Sequence, residues 1–141
     1  MILPDVNIVI QAFRSDAPRH ELCKNWLELV VNGESAYGIA PQVLSSAVRI
    51  VTNRRVYPQP DRVGDILTFC DGLVKQAHCH VILPGPRHWE IFSNLCLEVD
   101  ARGDLVADAW FAALAIESGC EWITLDRDFA RFPRLRWRTP F

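Results

Sequence analysis

The chain is poor in lysine: among its 15 basic residues only Lys24 and Lys75 are lysines, and the formal net charge is −2. It is therefore no polycation, and any contact with nucleic acid must come from a local basic patch. No apolar run approaches the length that crosses a bilayer, so no membrane partner is expected. The first ten residues carry Asp5 and Asn7 inside an apolar stretch and have no basic start, which is unlike a secretory leader and predicts a cytoplasmic protein. There is no repeat, low-complexity segment or flexible linker. The five cysteines, Cys23, Cys70, Cys79, Cys96 and Cys120, are odd in number and irregularly spaced, so no disulfide framework is expected. His78, Cys79 and His80 with Cys70 upstream fit no four-ligand zinc spacing. His20 and His88 fall near predicted helix starts and read as surface residues.

What is present is an ordinary globular mixture. Half of the 141 residues are hydrophobic and 23% are charged, enough for one domain over 1–141 with a sizeable core. The nine prolines punctuate periodic segments. Ile2-Leu3 reads as a buried strand ending at Pro4-Asp5, and Val6–Phe13 as a short helix. Pro18 opens a helix through Val31, with Leu22, Trp26, Leu29 and Val30 on one stripe, and Gly33 ends it. Tyr37–Ala40 is a strand. A helix from Pro41 to near Asn53 follows, and then a helix capped by Asp61. Val81–Leu83 is a strand and Arg87–Val99 a helix. Gly103-Asp104 precedes a helix over Leu105–Glu117 that Gly119 stops. Trp122–Leu125 is a strand, a single helical turn reaches Phe132, and Leu135–Trp137 is the last strand. Short apolar strands alternating with helices predict a three-layer α/β/α sandwich around a central parallel sheet. Ligands bind such sheets at the carboxyl ends of their strands.

Acids stand where that rule puts a site. Asp5 follows the first strand, Asp126 follows Trp122–Leu125, and Asp128 lies two residues on. Asp104 and Asp108 are four apart and share a helix face. Packed carboxylates repel one another, and a hard divalent cation such as Mg²⁺ relieves the repulsion. Metal held this way can promote in-line attack of water on a phosphodiester. Asn7 could orient water or ligate through its amide oxygen. A plainer reading stands beside this one, because Asp is a favoured N-cap and Asp5, Asp104 and Asp126 each precede a predicted helix. Asp108 and Asp128 are not at cap positions. Asp108 sits among Val106, Ala107, Ala109 and Trp110, where a carboxylate needs a partner or a function.

Leu3-Pro4-Asp5-Val6-Asn7 near the start resembles the PIN-domain nucleases, and more narrowly the VapC-type toxins of bacterial toxin–antitoxin pairs. So do Leu105-Val106-Ala107-Asp108-Ala109 with Ala112-Ala113-Leu114-Ala115, and Ile123-Thr124-Leu125-Asp126-Arg127-Asp128-Phe129. Pro41-Gln42-Val43-Leu44 with Arg49, Thr52 and Asn53 also looks like that family. These pieces occur in order across nearly the whole chain. The resemblance implies a Mg²⁺- or Mn²⁺-dependent endoribonuclease, usually dimeric, neutralised by a VapB-type antitoxin and leaving 3′-hydroxyl and 5′-phosphate ends. It places the family's acidic ligands on Asp5, Asp108 and Asp126, with Asp128 beside them. The chain departs from the pattern at Ser46, where the family usually has Glu; Asp104 is the candidate to supply the missing charge.

Arg49, Arg54 and Arg127 are the candidate RNA contacts, since guanidinium matches phosphate as a fork. The arginines at 131, 134, 136 and 138 read as a solvated face. The apolar excess at Ile8, Phe13, Trp26 and Leu29 leaves two readings open, plain core or a groove for a partner's amphipathic helix. The sequence is compatible with two other functions. One is a nuclease fold that lacks its Glu and only grips RNA or a partner. The other is an α/β phosphatase with Asp5 as nucleophile, which commonly needs Asp at position 7 and a nearby Lys.

Overall fold

The computed structural model describes all residues, Met1–Phe141. Five short strands form one parallel sheet: β1 (Ile2–Pro4), β2 (Tyr37–Ile39), β3 (Cys79–Val81), β4 (Glu121–Ile123) and β5 (Trp137–Arg138), in the order β3-β2-β1-β4-β5. Six helices connect them: α1 (Val6–Phe13), α2 (His20–Asn32), α3 (Pro41–Val51), α4 (Val63–Val74), α5 (His88–Val99) and α6 (Asp104–Ser118), and a one-turn 3₁₀ segment spans Arg127–Arg131. The architecture is the three-layer α/β/α sandwich that the strand–helix alternation predicts.

The sheet's alternation divides the core. Leu3 and Trp122 pair in register and face the same way, toward a cluster of 22 buried residues drawn largely from α3 to α6. Tyr37, Ile39 and Ile123 belong to a second cluster of 8, with Ile8, Ala12, Cys23 and Leu27 from α1 and α2. Helix α1 feeds both clusters, with Val9 and Ile10 in the first and Ile8 and Ala12 in the second. Each fully buried side chain such as Leu3 or Ile8 contributes about 1.5–3 kcal/mol relative to exposure. Gly119 closes α6 at φ 71°, a left-handed backbone that a Cβ would strain.

Several boundaries differ from the sequence reading: α2 begins at His20, after Pro18, and β4 is Glu121–Ile123 where Trp122–Leu125 is expected. Strand β3 comes two residues earlier than Val81–Leu83, because the Tyr37 and Ile82 N–H groups bond the His78 and Ile39 carbonyls and so fix its register. Strand β5 is Trp137–Arg138, while Leu135 instead turns back on Phe132 and buries its side chain. Asp61 does not cap α4, which begins at Val63; its carboxylate accepts from Arg14 Nη1 at 2.8 Å. Asp104 is the first residue of α6 and not its cap, which is Gly103.

Two polar anchors were not visible in the sequence. Arg14 is buried, grips Asp16 with Nε and Nη2 at 2.9 and 2.7 Å, and lies 3.7 Å over the Tyr57 ring. It ties the end of α1 to the segment before α4. Glu117 accepts from the Gly85 and Arg87 N–H groups at 2.6 and 2.8 Å and sets the entry to α5. His88, expected at the surface, is buried, with Nε2 3.0 Å from the Trp110 carbonyl. A carbonyl only accepts, so that ring nitrogen carries the proton.

Candidate active site

The register of β1 against β4 builds the site. Leu3 pairs with Trp122 and Pro4 with Ile123, so the next residues, Asp5 and Thr124, emerge side by side at the carboxyl edge of the sheet. The Asp5 N–H continues the ladder to the Ile123 carbonyl at 2.9 Å. Asp5 is only 5% exposed. Its Oδ1 accepts from the Val6 N–H at 2.6 Å and caps α1. Its Oδ2 accepts from the Thr124 hydroxyl at 2.6 Å and from Asn7 Nδ2 at 3.0 Å. The cap and the site are thus two oxygens of one side chain, and the two sequence readings of Asp5 do not compete.

Asn7 and Thr124 lock this corner. Asn7 Nδ2 also donates to Thr124 Oγ1 at 3.0 Å, and Asn7 Oδ1 accepts from the Leu125 N–H at 3.1 Å. Thr124 Oγ1 further accepts from the Asp126 N–H at 3.0 Å. Asp126 Oδ1 then accepts from the Asp128 N–H at 2.8 Å and caps the 3₁₀ turn. One network therefore spans β1, α1, the end of β4 and the turn after it.

The electrostatics identify which acids share a field. Burial pushes the Asp5 carboxyl up to about 7 against the opposing bonds from Thr124 and Val6, and the charges of Asp108 and Asp126 add to the rise. Asp108, on the first turns of α6, is pushed up to about 6 by burial and then by Asp126, Asp128 and Asp104. All five aspartates named from the sequence thus meet in one region. Asp104 and Asp128 are exposed, whereas Asp108 and Asp126 are half-buried.

The donor set consists of carboxylate oxygens, which suits a hard cation. Asp5 receives three hydrogen bonds out of roughly four lone-pair sites, which leaves a position for an ion. No three His, Cys, Asp or Glu side chains are gathered closely enough to ligate one ion directly. Ser46 is half-buried on α3, one turn beyond Gln42, and supplies no carboxylate.

The candidate RNA contacts separate. Arg127 is exposed within the turn between Asp126 and Asp128. Arg49 flanks a shallow groove between α3 and α4, and Arg54 is exposed beyond α3. None of the three makes an ion pair, so all keep their guanidinium donors free. Beside α1 lies a groove of about 540 Å³ lined by Phe13, Leu27, Val31, Phe69 and Leu73, with Lys24 and Glu28 among its polar residues. Ile8 is buried, but Phe13 and Trp26 keep part of their surface, so the apolar excess there is not all core.

A parallel sheet with an acid-lined carboxyl edge and an Asp–Asn–Thr corner is the arrangement of a nuclease-like α/β fold. The PIN-domain family model matches residues 2–135. Ribonuclease VapC43 of Mycobacterium tuberculosis is 40% identical over 140 residues, covering 99% of this chain and 95% of its own. Ribonuclease VapC25 of the same organism is 37% identical over 140 residues, covering 99% of both chains. The solved structure of VapBC-1 from nontypeable Haemophilus influenzae superposes with a TM-score of 0.70 at 16% identity, over 99% of this chain and 98% of that one, and supports the fold. The chain belongs to the PIN-domain family and, within it, to the VapC ribonucleases.

Proposed function

We propose that residues 1–141 form a single PIN-like domain that cleaves RNA as a metal-dependent endoribonuclease toxin and is held inactive by a VapB-type antitoxin. The observation that carries the chemistry is the shared field of Asp5, Asp108 and Asp126: burial first, and then their neighbours' charges, push Asp5 and Asp108 toward neutrality. Asp5, Asp108 and Asp126 would hold Mg²⁺ or Mn²⁺, with Asp104 and Asp128 adding charge around it. When bound, the ion supplies an activated water and balances the charge that grows on phosphorus. Thr124 and Asn7 orient the Asp5 carboxylate, and Arg127, exposed in the turn between Asp126 and Asp128, would hold a neighbouring phosphate in a bidentate fork. Arg49 and Arg54, on and beyond α3, would contact the RNA away from the cut. The water oxygen bonds to phosphorus as the bond to the 3′ oxygen breaks, leaving 3′-hydroxyl and 5′-phosphate ends.

The phosphatase alternative fares poorly. Asn7 donates to Asp5 where a general acid would be needed, and Lys24 and Lys75 pair with Glu28 and Asp71 on their own helices. Incubation with RNA with and without EDTA, beside a phosphate-release assay, separates the readings. RNA cleavage that EDTA abolishes, with no phosphate release from monoesters, is expected. A chain that binds RNA without cutting it would be the weakened module that Ser46 makes conceivable.

The groove beside α1 fits an amphipathic antitoxin helix, its apolar floor flanked by Lys24 and Glu28. Thr68 is exposed on that groove, so Thr68→Arg adds bulk at its mouth without entering the core. Antitoxin affinity measured by calorimetry is expected to fall by about tenfold, with RNA cleavage unchanged. The resemblance also implies a homodimer, for which sedimentation equilibrium would give twice the chain mass. The five free thiols fit a cytoplasmic setting, where RNA is also found.

A further inference from the structure

Asp104 and Asp108 stand on the least anchored part of α6. From Asp104 to Asp108 no side chain is fully buried, and the first that is belongs to Ala109. The start of the helix has no side-chain cap, since Gly103 at φ 57° holds that position. Two like charges one turn apart oppose each other there. Asp104 complements the helix dipole at this end, but the turn has no side-chain cap and no buried side chain of its own, so its placement depends on what holds the helix just downstream.

The fixed point is Trp110. Its indole N–H donates to Gln42 Oε1 at 2.5 Å, a bond that spans 68 residues of sequence. It is the sole side-chain hydrogen bond between α3 and α6. Its ring meets His88 edge-on at 4.1 Å and Phe92 at 5.2 Å. Its backbone carbonyl accepts from His88 Nε2 at 3.0 Å. Residue 110 is therefore held through its ring, its indole N–H and its carbonyl, two positions beyond Asp108. Gln42 stands at the start of α3, which follows directly from the carboxyl end of β2, the strand beside β1. The bond joins the edge that carries Asp5 to the helix that carries Asp108.

We propose that Gln42 and Trp110 are positioning residues for the proposed nuclease reaction: their hydrogen bond sets the rotation and height of α6 so that Asp108 faces Asp5 and Asp126. Neither side chain touches substrate in this role. It rests on the metal-nuclease reading above.

The test uses the full-length chain as wild type, Gln42→Leu, Trp110→Phe and the double variant. Four quantities are read: the indole N–H resonance that Trp110→Phe removes, Mn²⁺ affinity by calorimetry, and kcat and KM for RNA cleavage. In Gln42→Leu the resonance is expected to move upfield, as an indole N–H released from a strong acceptor does. Each single variant is expected to weaken Mn²⁺ binding and lower kcat by about three- to tenfold, the scale of one net hydrogen bond, with KM within twofold. The double variant should be no worse than either single one, since both remove one interaction. Additive losses, or metal affinity and kcat at the wild-type level in both single variants that remain folded, would overturn the positioning role. Those results leave the nuclease reading standing if the wild type binds Mn²⁺ and cuts RNA; a wild type that does neither overturns both.

Discussion

Replacing Asp5 or Asp108 by Asn is expected to lower RNA cleavage by more than about a hundredfold, because even outer-shell partners of a metal site are worth ten- to a hundredfold. Asn keeps the size of the side chain but removes one charge from a hard-cation site. The effect on folding should run the other way at alkaline pH. Asp108 accepts no hydrogen bond in the structure and shares its field with Asp126, Asp128 and Asp104, so Asp108→Asn relieves repulsion. Asp5→Asn loses part of the corner with Val6, Asn7 and Thr124. It should therefore cost about 1–2 kcal/mol at pH 4, where the wild-type carboxyl is already neutral, and gain on the wild type above pH 7. Denaturation curves at the two pH values beside cleavage rates check both halves. Asp104→Asn is expected to be the milder change, since Asp104 is exposed and bonds no backbone group. Ser46→Glu should tighten Mn²⁺ binding by restoring a carboxylate on α3. Full cleavage in Asp5→Asn and Asp108→Asn would remove the carboxylate mechanism.

The metal-free chain is expected to lose stability as pH rises from 4 to 7, the reverse of ordinary acid denaturation. The folded values of Asp5 and Asp108 lie at about 7 and about 6, against about 4 in the unfolded chain. Between those limits the folded state binds more protons than the unfolded one, so unfolding free energy falls with pH. The stabilisation is complete below pH 4, declines through 6, and is gone above 7. Its size is on the order of 5 kcal/mol for the two groups together, after discounting for solvent access to Asp108. A divalent cation should reverse the trend by taking the place of the protons. At free Mn²⁺ about ten times Kd, the gain at pH 8 is about 1.4 kcal/mol, or roughly 3–5 °C in Tm. At pH 5, protons compete and the shift should nearly vanish. Calorimetric scans at both pH values, with and without Mn²⁺, read this directly. Equal Tm values with and without Mn²⁺ at pH 8 would leave Asp5 and Asp126 as caps alone and remove the metal reading.

The acids were legible because their chemistry is local. Asp5, Asp126 and Asp128 sit at strand ends in the chain itself, and Asp104 with Asp108 needs only the helical repeat to share a face. The strands β1, β2 and β4 were legible for the same reason, each a short apolar run between turn residues. Strand β3 was misplaced because it lies at the sheet edge, where His80 and Val81 stay exposed and hydrophobicity no longer marks the register. The burial of His88 leaves no local signal, because its partner, the Trp110 carbonyl, is 22 residues away. The Arg14–Asp61 pair, the Glu117 latch and the Gln42–Trp110 bond span 47, 30 to 32 and 68 residues. Pairings across such distances leave no periodicity in a single sequence. Thr124 was visible as a motif residue, but its role as the hub between Asp5, Asn7 and Asp126 emerges only from the β1–β4 register.

The most direct measurement is the chemistry of the cut ends on a defined RNA incubated with Mn²⁺. Attack by a water held at the Asp5–Asp108–Asp126 edge predicts 5′-phosphate and 3′-hydroxyl ends, and their complete loss in EDTA. Ends bearing 5′-hydroxyl and 2′,3′-cyclic phosphate, persisting in EDTA, would mean that the neighbouring 2′-hydroxyl is the nucleophile and would contradict a carboxylate-held metal site.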